Sequence, residues 1–538
     1  MVTDALLNTK EVPAGYEAAA RPLFLTRTRY LNGLVCPKML WLRINRRERF
    51  GESKISPQAV ENSRNVQICA RKLFDPVTVI EHDEYAVMEE KTGEILRRAA
   101  SDEDMFSGSG RYAAIAHAAL SFQNCHALID ILALRPDGRF EIYMVKSAVH
   151  VSAQAREDLA YQYYVCRMAG LPVEKAGVLY LNREYVRKGQ IEPEKLFRIL
   201  DLTSESKNKM AEVRDRISGL RIYLAEEREP RRALSEGCFS PYDCSCFSSC
   251  GKELPEWNVF RLAATQLQDK LRFYEEGRIG FEDFVSEEPA GNTVIPGISA
   301  AAGLQILCEL EKRPLQADRT AVREFLRTLW KPLYFLDFEA FQPSVPKYEG
   351  TRPFETIVFQ YSVHGLPWNN ESPARRELIH RDFLGDPECD PRRALSEKLV
   401  RDIPEDACIL TYNSAYEKKR IAELAALFPD LSGKLMNLHS RVMDLMPLFR
   451  DRKVYDRRMQ GSYSLKSVLP ALFPDDPALD YENLPGVSNG GEAADSFQML
   501  SRLFGEAREK LSQEMLRYCA LDTFAMVKIV ERLEELSG

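Results

Sequence analysis

The sequence lacks any uninterrupted apolar stretch close to the roughly 20 residues that a membrane-spanning helix requires. Its first segment, MVTDALLNTKEVPAGYEAAARPLF, has no compact apolar core after a basic start, the pattern that marks a secretory signal. We therefore expect a soluble, cytoplasmic protein with no membrane partner.

The sequence also lacks an excess of positive charge. Its 73 Lys and Arg residues stand against 80 Asp and Glu residues, and the formal net charge is −7. This balance argues against a protein that coats nucleic acid through bulk charge, but it permits a local basic groove. Residues 43–50 and 450–458 interleave basic and aromatic residues, as a phosphate and base site would. For each segment alone, a solvated charged surface is the preferred interpretation.

A chain of 538 residues is too long for one hydrophobic core, so several domains are expected. Strand and helix patterns alternate in residues 22–252 and again in residues 331–538, which predicts an α/β fold class for both. Residues 253–330 have mostly helical patterns and are predicted to form a helical connector.

Cysteine, in contrast, is abundant, with twelve residues in all. Seven are scattered singly, mostly in apolar runs where buried thiols are common. The other five are Cys36 and a cluster of Cys238, Cys244, Cys246 and Cys250. In a reducing compartment, such a cluster favours a metal or iron–sulfur site over disulfides.

Two carboxylates lie in the strongly apolar strand pattern LYFLDFEAF. Asp337 and Glu339 are two residues apart and therefore share one face of the strand. The flanking residues are too hydrophobic for a surface strand, and two buried carboxylates without compensation would be expensive. Metal ions would supply that compensation.

Two further polar elements follow along the chain. Asn413 ends a strand pattern, and Glu417 lies in the first turn of the next helix, where the helix dipole alone would also favour a carboxylate. Tyr518 and Asp522 are four residues apart in a C-terminal helix and share a face. Together with the strand carboxylates, these groups suit a pair of metal ions.

These motifs resemble those of DnaQ-like 3′–5′ exonucleases of the DEDD type with a tyrosine, which have a ribonuclease H-like fold. The resemblance covers residues 331–538. The first motif matches Asp337 and Glu339, and the third matches Tyr518 and Asp522. The middle motif, Asn-x-x-aromatic-Asp, is matched by the set Asn413, Tyr416 and Glu417, with Glu in place of the usual Asp.

The resemblance implies a two-metal hydrolysis of phosphodiester bonds. Asp337, Glu339 and Asp522 would bind Mg²⁺ or Mn²⁺, which prefer such oxygen ligands. Glu417 would assist directly or through water. Tyr518 would orient or activate the attacking water, and Asn413 would contact the substrate.

Several other residues lie close to these motifs in the sequence. Asp444 is expected to be a structural residue close to this unit. Lys466 and the SNGGEA segment at residues 488–493 would suit substrate contact, but helix capping and surface loops explain them equally well. Residues 450–495, rich in Pro, Gly, Asp and Asn, are predicted to loop across the site.

The N-terminal region has a second set of motifs. Asp130 lies in one strand pattern, Lys146 in the next, and Gln162 in the following helix. They resemble the PD-(D/E)XK core of RecB-like and CRISPR-associated nucleases. Met144 stands where that core has an acidic residue, and its thioether is a poor ligand for Mg²⁺. Glu141 should face the opposite side of the strand.

This departure predicts a weakened or inactive nuclease centre that still binds nucleic acid. In iron–sulfur members of these nucleases, one cysteine before the core and three after it bind a [4Fe–4S] cluster. Cys36, Cys238, Cys244 and Cys250 match that arrangement, with Cys246 as an alternative ligand. Zn²⁺ is the alternative metal, since four thiolates suit either.

Most of the chain resembles an uncharacterised bacterial family, labelled a domain of unknown function, that joins these two modules. The leading hypothesis is a metal-dependent nuclease that degrades DNA or RNA from a single-stranded end. One alternative is a non-catalytic nucleic-acid-binding or scaffold protein whose two centres have decayed. Another is a redox-sensing cluster that gates the exonuclease, which the cysteine spacing does not separate from a structural cluster.

Overall fold

The structure of the protein is a computed structural model. It describes residues 24–538 except 47–55, 83, 102–112, 136, 241–242, 289–290, 295–296, 367–377, 480 and 485. The described chain is a mixed α/β structure, which confirms the predicted fold class. None of the helices in these ranges combines the length and the hydrophobicity that a membrane span requires.

The described chain divides into two compact units. The N-terminal unit contains residues 24–250 together with Gln342–Glu355, and the C-terminal unit contains Gly251–Phe341 and Thr356–Gly538. Residues 253–330, the predicted connector, therefore lie in the C-terminal unit.

A seven-stranded mixed sheet forms the centre of the N-terminal unit. Its strands are β1 (Leu25–Thr26), β2 (Val77–Val79), β3 (Ala113–Phe122), β4 (Cys125–Leu134), β5 (Phe140–Lys146), β6 (Val173–Leu181) and β7 (Phe197–Asp201). Strands β2 to β7 lie in sequence order, and β1 pairs with the start of β4. The pairs β2–β3 and β5–β6 are parallel, and the pairs β3–β4, β4–β5 and β6–β7 are antiparallel.

Helices cover both faces of this sheet. They are α1 (Arg27–Val35), α2 (Pro37–Asn45), α3 (Pro57–Arg71), α4 (Tyr85–Ser101), α5 (Ala153–Met168), α6 (Pro193–Leu196), α7 (Thr203–Asn208), α8 (Met210–Leu224) and α9 (Phe247–Cys250). Successive side chains of a strand point to opposite faces of the sheet, so β5 contributes to a core on each face. Ile142 and Met144 belong to the core that α1, α2, α5 and α8 share, whereas Tyr143 and Val145 belong to a second core with α3.

The segment 342–355 is held within the N-terminal unit by Arg187. The guanidinium of Arg187 donates to the carbonyl oxygens of Pro346, at 3.2 Å, and of Lys347. The N–H of Gly350 donates to the carbonyl oxygen of Arg187 at 2.9 Å. This unit is therefore built from two stretches of the chain.

A five-stranded mixed sheet forms the centre of the C-terminal unit. Its strands, in spatial order, are β13 (Ile379–Leu384), β12 (Ile357–Leu366), β11 (Leu333–Phe341), β14 (Cys408–Thr411) and β15 (Val442–Asp444). The central strand β11 pairs antiparallel with β12 and parallel with β14. Two short two-stranded sheets are formed by β8 (Val285–Glu288) with β9 (Gly291–Val294) and by β10 (Gln316–Ala317) with β16 (Val454–Tyr455).

The helices of this unit are α10 (Leu267–Glu275), α11 (Ala300–Leu310), α12 (Arg319–Thr328), α13 (Arg392–Asp402), α14 (Ser414–Leu427), α15 (Ser432–Ser440), α16 (Pro447–Arg450), α17 (Leu465–Leu472), α18 (Gly490–Met499) and α19 (Gly505–Ser537). Short 3-10 helices lie at Glu236–Cys238 in the N-terminal unit and at Val259–Arg261, Phe281–Phe284, Arg457–Met459, Pro477–Leu479, Tyr481–Asn483 and Leu500–Arg502 in the C-terminal unit.

The two faces of the five-stranded sheet differ in chemistry. Leu336 and Phe338 of β11 pack in an apolar core with α13, α14 and α15. The opposite face carries polar side chains and is crossed by α19. Ser362, paired with Asp337 in the sheet, lies 2.8 Å from the hydroxyl of Thr523, and Gln360 donates to the carbonyl of Met515 at 2.8 Å. The long C-terminal helix is therefore fixed by hydrogen bonds directly beside the two acidic positions of β11.

We expect Phe497→Ala to destabilise the C-terminal unit by about 3 to 5 kcal/mol, the usual cost of truncating a buried phenylalanine. Phe497 is fully buried, and its ring stacks on Phe359 with centroids 4.1 Å apart. Phe504→Ala is the matched control, because that ring is 81% exposed and its loss should cost less than about 0.5 kcal/mol. Urea unfolding followed by far-UV circular dichroism measures both, and equal shifts for the two variants would contradict the described packing.

Candidate functional site

Three carboxylates meet on the polar face of the C-terminal sheet. Asp337 and Glu339 project from β11, and Asp522 projects from α19 where that helix crosses the same face. One oxygen from each of the three lies within 4.8 Å of the others. Among the described residues, this is the one group of three or more His, Cys, Asp or Glu side chains whose ligand atoms lie this close together, as a metal site requires.

Tyr518 lies one turn before Asp522, and both side chains are buried. A second tyrosine, Tyr481, donates from its hydroxyl to Asp522 Oδ1 at 2.5 Å. The two tyrosine rings lie edge to face with centroids 6.3 Å apart. Asp522 is thus held at a fixed position by a neighbouring phenol.

Burial and mutual repulsion raise the pKa values of this carboxylate cluster. Burial raises the pKa of Asp337 well above its usual range, and the charges of Asp522, Glu339 and Glu417 raise it further. Burial raises the pKa of Glu339 to about 8, with a contribution from Asp522. Burial also raises the pKa of Asp522, but only to about 6, because hydrogen bonds from Tyr481 and Tyr518 and the charge of Lys466 oppose the rise.

Glu417 is a buried fourth carboxylate near the trio, although it is not a member of the closely spaced group. It lies in the first turn of α14, its side chain is 2% exposed, and burial raises its pKa to about 8. Its Oε2 atom is buried with no hydrogen-bond partner among the described residues. A buried carboxylate oxygen without a partner is costly unless a cation or donor reaches it.

The turn that leads into α14 is shaped by Asp444. Asn413 has a left-handed backbone, with φ of 75°, a conformation in which asparagine is enriched. Asp444 Oδ1 accepts from the N–H groups of Asn413 and Met446, and Oδ2 accepts from the N–H and hydroxyl of Ser414. Asp444 therefore organises the turn that directs Glu417 inward, and the side chain of Asn413 is exposed beside it.

These residues fit a divalent cation. All the acidic groups are hard oxygen donors, which Mg²⁺ and Mn²⁺ prefer. The partnerless oxygen of Glu417 offers an additional donor. A Cβ atom at position 490 would lie 3.4 Å from Glu339 Oε2, so Gly490 avoids a close side-chain contact with that oxygen.

Further residues complete the surroundings of the centre. The exposed Lys466 places its ammonium 5.1 Å from the ring centroid of Tyr518 and 5.2 Å from that of Tyr481, and it donates to the carbonyl of Ser488 at 2.6 Å. Cys519 is fully buried, with its sulfur 3.7 Å from Asp337 Oδ2. Sequence reasoning missed Tyr481, which lies in a segment without periodicity. Cys519 is one of the seven single cysteines, for which the sequence predicted only burial in an apolar run.

The basic segments give little support to a phosphate site. In residues 450–458, Arg450 pairs with Asp451, Lys453 with Asp318 and Arg458 with Asp456. Arg452 is buried and donates to backbone carbonyls. Of residues 43–50, Arg43 donates to Ser245 and Arg46 lies over the Trp41 ring, whereas residues 47–50 lie outside the described part of the chain.

The N-terminal motif residues meet around a carboxylate that sequence reasoning missed. Asp158, on α5, is 1% exposed; Lys146 Nζ lies 3.3 Å from its Oδ2, and Gln162 donates to its Oδ1 at 2.9 Å. Asp130 accepts from the N–H of Val145 at 2.8 Å. The spacing of Asp158 and Gln162, four residues apart on one helix, was a usable signal.

The other acidic and sulfur side chains of β5 do not complete this centre. Met144 is fully buried in the apolar core. Glu141 accepts from Arg135 at 3.1 Å and from the hydroxyl of Tyr143 at 2.5 Å, and Tyr143 belongs to the core on the other face of the sheet.

The clustered cysteines lie together in the N-terminal unit. Cys36, Cys244 and Cys250 pack against the core that contains the buried Cys246. Burial raises the pKa of the Cys250 thiol, the charge of Lys38 lowers it, and the charges of Cys238, Cys244 and Cys36 raise it. A hydrogen bond from Cys246 lowers the pKa of Cys244 to about 6. Cys36, at the C-terminal end of α1, therefore has the later cysteines as electrostatic neighbours.

One protein-family profile matches the chain. It describes a domain of unknown function (DUF2779) and covers residues 334–464. The matched segment contains Asp337, Glu339, Asn413 and Glu417 but ends before Tyr518. A comparison with curated proteins gave no match.

We expect the metal-free protein to lose stability as pH rises from about 5 to about 8. The pKa of Glu339 and that of Glu417 rise from an ordinary value of 4.5 to about 8 on folding. The folded state therefore binds more protons than the unfolded chain in this window, and its stability falls with pH. Melting temperatures measured in EDTA should show the loss, and saturating Mn²⁺ should reverse it.

Glu339→Gln should flatten this pH dependence, because the substituted side chain does not ionise. Glu531→Gln is the matched control, since Glu531 is exposed and pairs with Lys528 on its own helix. A pH slope that is the same in wild type and in Glu339→Gln would contradict the expected repulsion.

Proposed function

We propose that the protein is a metal-dependent nuclease, and specifically a 3′–5′ exonuclease whose hydrolytic centre lies in the C-terminal unit. The observation that carries the proposal is the convergence of Asp337, Glu339 and Asp522, whose oxygens lie within 4.8 Å of one another. Buried carboxylates at this spacing either take up protons, as their raised pKa values indicate, or bind cations that offset their repulsion and their loss of water. The resemblance of the three motifs to DnaQ-like exonucleases supports the same reaction.

The acidic residues would bind Mg²⁺ or Mn²⁺, with Glu417 Oε2 as a further donor. When bound, two such ions stabilise the attacking and leaving oxygens of an in-line phosphodiester displacement. Asp444 contributes indirectly, because it fixes the turn that carries Glu417.

Tyr518 would hold the attacking water. Burial and the charge of Asp522 raise the pKa of Tyr518, so its hydroxyl stays protonated at neutral pH. A protonated phenol orients a water molecule by hydrogen bonding and does not remove its proton. Tyr481 supports this arrangement by holding Asp522.

Two exposed side chains, Lys466 and Tyr416, are suited to bind the terminal nucleotide of a nucleic-acid strand. Lys466 carries a positive charge beside both tyrosine rings and would neutralise a phosphate oxygen. Burial raises the pKa of Tyr416 to about 12, and the neighbouring carboxylate charges add to that rise. Tyr416 is 37% exposed, so a terminal base of single-stranded DNA or RNA would stack on its ring.

The N-terminal unit would bind nucleic acid through its PD-(D/E)XK-like centre without cleaving it. Cys36, Cys238, Cys244 and Cys250 would hold a [4Fe–4S] cluster, with zinc as the alternative. The charge of Lys38 acts on Cys250 and that of Arg43 acts on Cys244. Such cations favour thiolates over thiols.

End-labelled single-stranded DNA and RNA, incubated with the protein and Mn²⁺, test the activity. We expect a ladder of shortened products when the label is at the 5′ end and immediate release of labelled mononucleotide when it is at the 3′ end. Asp337→Asn and Asp522→Asn should each reduce the rate on the order of 10³-fold, because each removes a ligand worth several kcal/mol in the transition state.

Asp430→Asn is the control for these variants, since Asp430 is exposed and pairs with Arg393 at the surface of the same unit. Degradation that persists in Asp337→Asn would overturn the assignment of this centre. Binding of the strand by wild type without any turnover would instead favour the non-catalytic scaffold.

The cysteine cluster is tested by anaerobic purification. We expect iron, acid-labile sulfide and a broad visible absorbance, all lost in Cys244→Ser. Cys389→Ser is the matched control, because Cys389 is an exposed thiol of the C-terminal unit. Stoichiometric zinc with no visible absorbance would replace the iron–sulfur assignment with a zinc site.

A further inference from the structure

The N-terminal centre holds its carboxylates in an arrangement that differs from a metal site. Arg27, the first residue of α1, reaches both of them. Its Nε lies 3.2 Å from Asp158 Oδ2, and its Nη1 lies 3.9 Å from Asp130 Oδ1. One guanidinium therefore bridges two carboxylates, Asp130 of the PD-(D/E)XK-like motif and Asp158 of α5.

Lys146 adds a second cation. Its ammonium lies 3.3 Å from Asp158 Oδ2, the same oxygen that Arg27 contacts. Burial raises the pKa of Asp130, while the charges of Arg27 and Lys146 oppose the rise. The residues present do not fit Mg²⁺, because two fixed positive charges already compensate the carboxylates and Met144 offers no hard ligand.

The cations of this centre are more exposed to solvent than its carboxylates. The carboxylates are the inner members, with 12% of the Asp130 side chain and 2% of the Asp158 side chain exposed. The cations are the outer members, with 32% of Arg27 and 28% of Lys146 exposed. Solvent, or a ligand in solution, therefore meets a guanidinium and an ammonium before it meets a carboxylate.

We propose that this centre is a metal-independent phosphodiester-binding site, in which Arg27 and Lys146 contact the backbone of a nucleic-acid strand and Asp130 and Asp158 hold those cations in place. Arginine and lysine are the usual phosphate ligands of proteins. Asp158 is itself held by Gln162, so the site is preorganised. The inference rests on the proposed nucleic-acid function and specifies how the N-terminal unit takes part in it.

Fluorescence anisotropy of a labelled single-stranded oligonucleotide, titrated with the full chain in EDTA, tests the site. We expect wild type to bind and the double variant Arg27→Gln/Lys146→Gln to bind more weakly. The slope of log affinity against log salt should become shallower by about 1.4, since each phosphate contact of a single strand contributes about 0.7. Retention of the strand by the double variant, with an unchanged salt slope, would overturn the proposal.

Two further variants separate loss of the site from loss of folding. Arg27→Lys/Lys146→Arg keeps both charges and should keep the wild-type salt slope. Arg198→Gln/Lys195→Gln removes two exposed cations of the same unit, paired with Glu184 and Glu192, and should leave the slope nearly unchanged. If the salt dependence of affinity fell equally in this control, binding would depend on the overall charge of the unit, which would contradict a defined site.

Metal counting provides an independent readout. In a chain with Asp337→Asn and Asp522→Asn, we expect the additional change Asp130→Asn to leave Mn²⁺ binding, followed by electron paramagnetic resonance, unaltered. Mn²⁺ binding that Asp130→Asn abolishes would show that the N-terminal centre is a metal site. Because the anisotropy measurement contains EDTA and requires no hydrolysis, failure of the C-terminal centre to degrade a strand does not affect it.

Discussion

Repulsion among buried carboxylates is the constraint on which the C-terminal unit depends. Two like charges about 4 Å apart repel by about 4 kcal/mol at an effective dielectric constant of about 20. The unit places Asp337, Glu339 and Asp522 at such a spacing and adds Glu417 nearby. Hydrogen bonds from Tyr481 and the charge of Lys466 relieve only part of this cost. When these groups are ionised and no metal is bound, the fold therefore carries an unfavourable interaction at one point, which the apolar core on the other face of the sheet must offset.

The two candidate centres meet the same electrostatic problem in opposite ways. In the C-terminal centre, no ion pair joins the three carboxylates to a basic side chain of the described residues, and burial and mutual repulsion raise their pKa values, so they favour an external cation. The N-terminal centre supplies Arg27 and Lys146 from the chain itself. A permanent internal cation gives stability without dependence on metal concentration, but it also removes the Lewis acid that hydrolysis would need.

Much of the C-terminal site was predictable because its elements have strong local signals. The apolar run LYFLDFEAF predicts β11 over the residues that form it, and period-two alternation places both acids on one face. The turn at Asn413 and the helix that carries Asp522 are equally clear. Sequence could not reveal Tyr481, because its position depends on an irregular segment fixed by contacts far away in the chain. Strand β3 was not predicted either, and its alanine-rich sequence AAIAHAALSF would favour a helix in isolation. Alanine is small enough to be buried on both faces of a central strand, and tertiary packing overrides its local preference.

The N-terminal unit is assembled from two separate stretches of the chain, because Arg187 binds the carbonyl groups of residues 346 and 347. Residues 342–355 begin immediately after β11, the strand that carries Asp337 and Glu339. A fragment that stops at residue 250 would therefore leave the guanidinium of Arg187 without these acceptors and expose the surface that they cover. Gene dissection at that boundary would yield an incomplete N-terminal unit. It would also leave residues 342–355, attached to the end of β11, without the unit to which they belong.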